Sequence, residues 1–172
     1  EMIPFAMLVT DMCVPGLPIT YCNQAMAKLT GYQRSEVCGR NCRFLQGPMT
    51  EASAVRQMIV AVRTATQTTV RVTNYRRDGS TFRNVVTLSP VFDTKGVYRY
   101  SIGVLADSER AVSDGNALQA LRKALPEQLD ADAQPPAYDR SLRHILPAEK
   151  SQQHKESVMA FTPIRWINHP EE

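Results

Sequence analysis

The sequence has no CxxC pair, only three histidines, and no hydrophobic run long enough to cross a membrane. Its four cysteines, Cys13, Cys22, Cys38 and Cys42, have no histidine near them, so the usual zinc-ligand spacings are excluded. A chain with 43% hydrophobic residues has no need of a disulfide framework. The cysteines therefore read as free thiols in a reducing compartment, cytoplasmic or nuclear. No secretory hydrophobic segment opens the chain. Glu1 ahead of Met2, with an apolar run beginning at once, reads as a piece cut from a longer protein. The net charge of +3 is too small to argue for a nucleic-acid duplex. It is also uneven: residues 1–107 hold 12 Lys/Arg against 7 Asp/Glu, and residues 108–172 hold 8 against 10. A modestly basic first part suits a small anion better than a polyanion. There is no internal repeat.

What is present has clear local punctuation. "FAMLVTD" (5–11) and "PITYCN" (18–23) predict two strands separated by the turn at Pro15-Gly16. "QAMAKLTGY" predicts a short helix stopped near Gly31. One helical turn is expected around Asn41–Leu45, closed by Gly47-Pro48. Residues 50–65 predict a longer helix, with Thr50 as N-cap and Val55, Met58, Ile59 and Val62 as its apolar stripe. Three strands follow, joined at Asp78-Gly79 and Lys95-Gly96, both tight-turn signals. The class is α+β: a five-stranded antiparallel sheet with short helices over one face. Beyond Asp107 the pattern weakens. Residues 116–125 predict an amphipathic helix through Leu118, Leu121 and Leu125, stopped by Pro126. "DADAQPPAYD" reads as a linker, and "RSLRHILPAEKSQQHKES" and "VMAFTPIRWINHP" are weakly patterned. The domains are thus 1–107 and a C-terminal extension, 108–172.

Side chains alternate along a strand, and that parity puts two amides among branched apolar residues. Val70, Val72 and Asn74 share a face, as do Phe82, Asn84, Val86 and Leu88. On the last strand parity leaves two faces open: Tyr100, Ile102 and Val104, or Ser101, Gly103 and Leu105. A buried amide left unpaired costs about 1–3 kcal/mol. Either asparagine alone is most simply a bulge or loop contact. Together, with Gln46 and the Asn41-Cys42-Arg43 turn, they suit a heteroaromatic ligand with alternating C=O and N–H groups on one edge. Cys42, at the start of a helical turn beside Arg43, stands where a thiol ionises more easily; a free structural cysteine is the plainer alternative.

"GRNCRFLQG" (39–47), supported by "LTGYQRSEV", "TNYRRDGSTFRNVVTLSPV" and "SIGV", resembles LOV (light-oxygen-voltage) domains, the flavin-binding blue-light branch of the PAS fold. The resemblance runs from about Phe5 to Asp107. It implies FMN, rather than riboflavin or FAD, between the sheet and the short helices. It implies that Cys42 bonds reversibly to the flavin C4a carbon under blue light. Asn74 and Asn84 match residues holding the pyrimidine edge, Asn41 and Gln46 match ribityl and ring contacts, and Arg43 matches a phosphate arginine. Thr10, Met26, Leu45, Val86, Leu88 and Gly103 match ring-lining positions, and Val55, Ile59 and Val62 fall on the cofactor side of the long helix.

Two positions depart from the family pattern. Leu105 stands where the family carries a glutamine that senses the flavin, and Ile59 stands where a second phosphate arginine is expected, with Arg63 one turn later. The module is expected to be sensory, with no turnover of an external substrate and with any effector elsewhere in a longer chain. The resemblance also allows a homodimer through the sheet face or flanking helices. Two other readings remain: a PAS ligand module without photochemistry, favoured by Leu105 and Ile59, and a flavin redox enzyme, for which no proton-shuttling histidine is in place.

Overall fold

Five segments of alternating or continuous apolar residues pair into an antiparallel sheet in the order β2-β1-β5-β4-β3. The strands are β1 Ala6–Asp11, β2 Ile19–Cys22, β3 Thr68–Tyr75, β4 Thr81–Asp93 and β5 Tyr98–Asp107. The computed structural model describes residues 5–129. These lie within the first of two units, Glu1–Tyr138 and Asp139–Glu172. The expected linker and the two weakly patterned segments after it lie outside the described residues. The helices are α1 Gln24–Thr30, α2 Arg34–Val37, α3 Ala52–Thr64, α4 Ser108–Ser113 and α5 Gly115–Ala124, with a 3-10 turn over Cys42–Leu45. A two-residue strand, β6 Gln128–Leu129, pairs parallel with the end of β4. Two residues carry no periodicity, so the sequence did not announce it.

Short-range chemistry explains most boundaries. The β3–β4 hairpin turns at Gly79, whose φ of 86° is costly for any residue with a Cβ. Asn23 caps α1: its Oδ1 accepts from Met26 N and Met7 N, and its Nδ2 donates to Phe5 O at 2.8 Å. One side chain thereby ties β1 to the helix that carries Met26. The expected cap of α3 is wrong, however. Glu51 occupies the N-cap without a side-chain bond to the helix. Thr50 instead accepts from Gly47 N and donates to Thr73 O at 2.7 Å. Its hydroxyl is committed to β3, a partner that only tertiary structure supplies. The buried face of α3 is also rotated from the expected stripe: Ala54, Val55 and Ala61 are buried, while Met58, Ile59 and Val62 are half-buried.

Register settles the face of β5. Val86 lies opposite Leu105 and Leu88 opposite Gly103, and opposed residues of an antiparallel pair project to the same side. Gly103 and Leu105 thus face inward with Leu8, Val70, Val72, Met26, Val37, Leu45 and Ala54, in one buried core. Val104 and Ala106 face outward and pack with Phe5 and Leu118 of α5. The helix expected at 116–125 is therefore present at 115–124, with Leu118 buried and Leu121 and Leu125 half-buried against the outer face. Strand β5 has apolar cover on both sides, which is why its parity was ambiguous.

Glu51 clamps α3 to the sheet. Its carboxylate accepts from Thr73 N at 2.7 Å and Thr73 Oγ1 at 2.9 Å, and it pairs with Arg83. Burial acts to raise its pKa, but these Thr73 and Arg83 bonds outweigh burial and hold it down at about 2, from an ordinary 4.5. A depressed folded-state pKa stabilises above the unfolded value and is lost as pH falls through the folded one. Stability is therefore expected to decline from about pH 4.5 towards 2, with Glu51→Gln flattening that part of the curve. Urea midpoints measured across this window check it; identical profiles for both proteins would remove Glu51 from the acid response. The partly exposed geometry keeps the effect modest.

Candidate functional site

Three polar groups from distant segments meet on the inner face of the sheet. Asn84 of β4 is 0% exposed and donates its Nδ2 to Asn74 Oδ1 of β3 at 2.8 Å. Asn74, 5% exposed, donates its Nδ2 to the Leu45 carbonyl at 3.1 Å. The amide orientations follow from this chain of bonds. A carbonyl at Leu45 needs a donor, which turns Asn74 Oδ1 towards Asn84 and demands Nδ2 there. Asn84 Oδ1 is then left buried with no hydrogen-bond partner among the described residues. An unpaired buried acceptor costs about 1–3 kcal/mol, and an N–H on the edge of a flat heterocycle would satisfy it.

Apolar side chains surround this relay. Met26, Leu45, Val86, Leu88 and Leu105 belong to one cluster, with Leu105 3% exposed and opposite both Val86 and Ala6. Thr10 is buried on β1, in the same alternation as Ala6 and Leu8. Gly103 lies close to Leu8: a Cβ there would stand 3.0 Å from Leu8 Cδ1, and that side chain would have to shift. Sequence reasoning missed Leu8 and Ala6, although the i, i+2 spacing back from Thr10 along β1 marks both. Val55 is buried on α3, with Ile59 and Val62 half-buried on the same helix. No cation stands at Ile59, and Arg43 and Arg63 are both exposed.

The 3-10 turn is built by its own side chains. Asn41 Oδ1 accepts from Arg43 N at 3.1 Å, and Gln46, half-buried at the other end, donates its backbone N–H to Arg43 O. Asn41 Nδ2 also donates to the Gly16 carbonyl at 2.7 Å, pinning the turn to the β1–β2 loop. Cys42 is exposed as a whole residue. Burial pushes its thiol pKa up, with a backbone hydrogen bond and the Arg43 charge opposing. The surroundings of the sulfur, rather than the outer surface of the residue, decide its ionisation. The expectation of an easily ionised thiol is thus reversed, because desolvation outweighs one exposed arginine.

A family model for the PAS domain matches residues 4–109. A solved LOV domain from the Erythrobacter litoralis EL346 blue-light-activated histidine kinase superposes with a TM-score of 0.60 at 37% identity, covering 62% of this chain and 98% of that one. The chain belongs to the PAS family, as a LOV domain. Among full-length relatives of this LOV domain, phototropin-1A of Oryza sativa subsp. japonica is 39% identical over 114 residues, 66% of this chain and 12% of the phototropin. Blue-light-activated histidine kinase 2 of Erythrobacter litoralis is 36% identical over 121 residues, 70% of this chain and 35% of the kinase. The chain thus spans about a third or less of these relatives. Among the described residues of the LOV domain, no helix is long and apolar enough to cross a membrane, and no group of side chains is arranged to hold a metal ion.

Proposed function

We propose that this chain is a blue-light sensor module that holds FMN on the inner face of its sheet and signals through Cys42. One observation carries the reading. The asparagine relay begins at a buried, unpaired acceptor on Asn84 and ends on the Leu45 carbonyl, in the same 3-10 turn whose first residue is Cys42. Recognition of a ring edge and placement of a nucleophile are therefore joined by two hydrogen bonds.

When bound, flavin supplies blue-light absorption and an electrophilic ring carbon. Asn74 and Asn84 hold its pyrimidine edge. Met26, Leu45, Val86, Leu88 and Leu105 exclude water from the ring, with Thr10 and Gly103 beside them. Val55, Ile59 and Val62 line the α3 side, Asn41 and Gln46 take the ribityl side, and Arg43 pairs with the phosphate. Cys42 is the thiol whose sulfur and proton would be donated to the light-excited ring and recovered in the dark.

The purified protein is expected to be yellow, to bleach in blue light and to recover in the dark. A colourless protein, or one whose colour ignores illumination, would end this reading. Leu105 offers no hydrogen bond to the ring, so strain leaves Cys42 through its neighbour Asn41 and the Gly16 carbonyl. Leu105→Gln is expected to shift the dark absorption to longer wavelength. An unchanged spectrum there means that position 105 does not touch the flavin. Output passes to α4 and α5 on the outer face, and from them to an effector; the module turns over no substrate of its own.

A further inference from the structure

Two of the four cysteines lie together, away from the turn that carries Cys42. Cys22 ends β2 and is 2% exposed; Cys38 follows α2 and is half-buried. The sulfur of Cys38 lies 4.0 Å from the Thr20 carbonyl, two residues before Cys22 on the same strand. Gly39 N donates to Ile19 O at 2.8 Å, so the chain leaving α2 runs alongside β2. Both side chains enter the same inner core. Burial, together with the charge and hydrogen bonding of Cys38, pushes the Cys22 thiol up to about 11, while Arg34 opposes. The other two cysteines are elsewhere: Cys13 Sγ stands 3.8 Å from the Tyr98 carbonyl, and Cys42 heads the 3-10 turn.

We propose that Cys22 and Cys38 form an oxidation site, independent of light, that closes to a disulfide with hydrogen peroxide. Cys38 is the more accessible sulfur and attacks first. As thiolate it bonds to one peroxide oxygen, the O–O bond breaks, and the departing hydroxide takes up the thiol proton as water. Cys38 is then a sulfenic acid. Cys22 displaces that oxygen, its own proton leaves with the hydroxyl as a second water, and the S–S bond forms. Two thiols and one peroxide give one disulfide and two waters. The bond staples β2 to the residue three places before Asn41. It thereby fixes both ends of the segment that carries α1 and Met26.

The test uses the whole chain in the dark, treated with hydrogen peroxide, alkylated and mapped by mass spectrometry. Free thiols are expected to fall from four to two, with Cys22 and Cys38 peptides joined and two hydrogens lighter. Four remaining thiols, or a disulfide that includes Cys13 or Cys42 instead, overturns the proposal. Because the wild-type protein gives this result, it does not depend on any variant folding. In Cys22→Ala, dimedone is expected to trap Cys38 as the sulfenic acid; in Cys38→Ser, no intrachain disulfide forms. Failure to trap Cys38 in a folded Cys22→Ala protein overturns the assigned order. None of these readouts requires flavin, so they fail or succeed separately from the photosensor reading.

Discussion

Cys42→Ala is expected to leave the protein yellow and to abolish its reversible bleaching completely. The loss is total because the sulfur is the only atom on this turn that can bond covalently to a ring carbon. The colour survives because the turn does not depend on that sulfur. Asn41 Oδ1 holds Arg43 N, Gln46 N holds Arg43 O, and Asn74 holds the Leu45 carbonyl. All three bonds use the backbone, which alanine retains. Absorbance under blue illumination, followed by dark recovery, measures the effect. Persistent bleaching in the alanine protein would show that another group reacts with the flavin.

Asn84→Leu is expected to weaken flavin binding roughly 5- to 150-fold, the equivalent of about 1–3 kcal/mol for one buried hydrogen bond. Leucine keeps the branched shape of the amide without its polar atoms but is larger, so the change tests polarity together with packing. It removes the unpaired Asn84 Oδ1 but also the Nδ2 bond to Asn74 Oδ1, so one unpaired buried oxygen is exchanged for another and the flavin-free protein should change stability less than affinity falls. That contrast separates ligand recognition from a merely structural amide. Asn74→Leu should do more, because it also releases the Leu45 carbonyl and loosens the turn bearing Cys42. The two substitutions act on one relay, so the double variant should cost less than their sum. Titrating apoprotein with FMN by fluorescence gives the affinities, and urea unfolding gives the stabilities. Equal flavin affinity in wild type and Asn84→Leu would end the role given to this edge.

Much of this fold is legible in the sequence because its signals are local. The Asp78-Gly79 and Lys95-Gly96 turns delimit three strands, the apolar pattern from Val55 to Val62 marks α3, and "GRNCRFLQG" marks the 3-10 turn. Strand parity also brought Asn74 and Asn84 to one face, since a period of two needs no knowledge of the partner strand. The limits of that reasoning are physical. Parity on β5 was open because α5 covers its outer side, leaving apolar residues on both faces. From sequence Thr50 reads as a helix cap, because its bond to Thr73 O crosses 23 residues of chain.

The sequence by itself determined the fold class and the inward faces of β3 and β4, and it named the residues proposed here for the site. Only the tertiary structure decided which face of β5 looks inward, which amide oxygen is left unpaired, and which way burial moves the Cys42 thiol. It alone placed Cys22 beside Cys38. Each of these depends on desolvation or on contacts between distant segments, and both are sums over neighbours that chain order does not reveal.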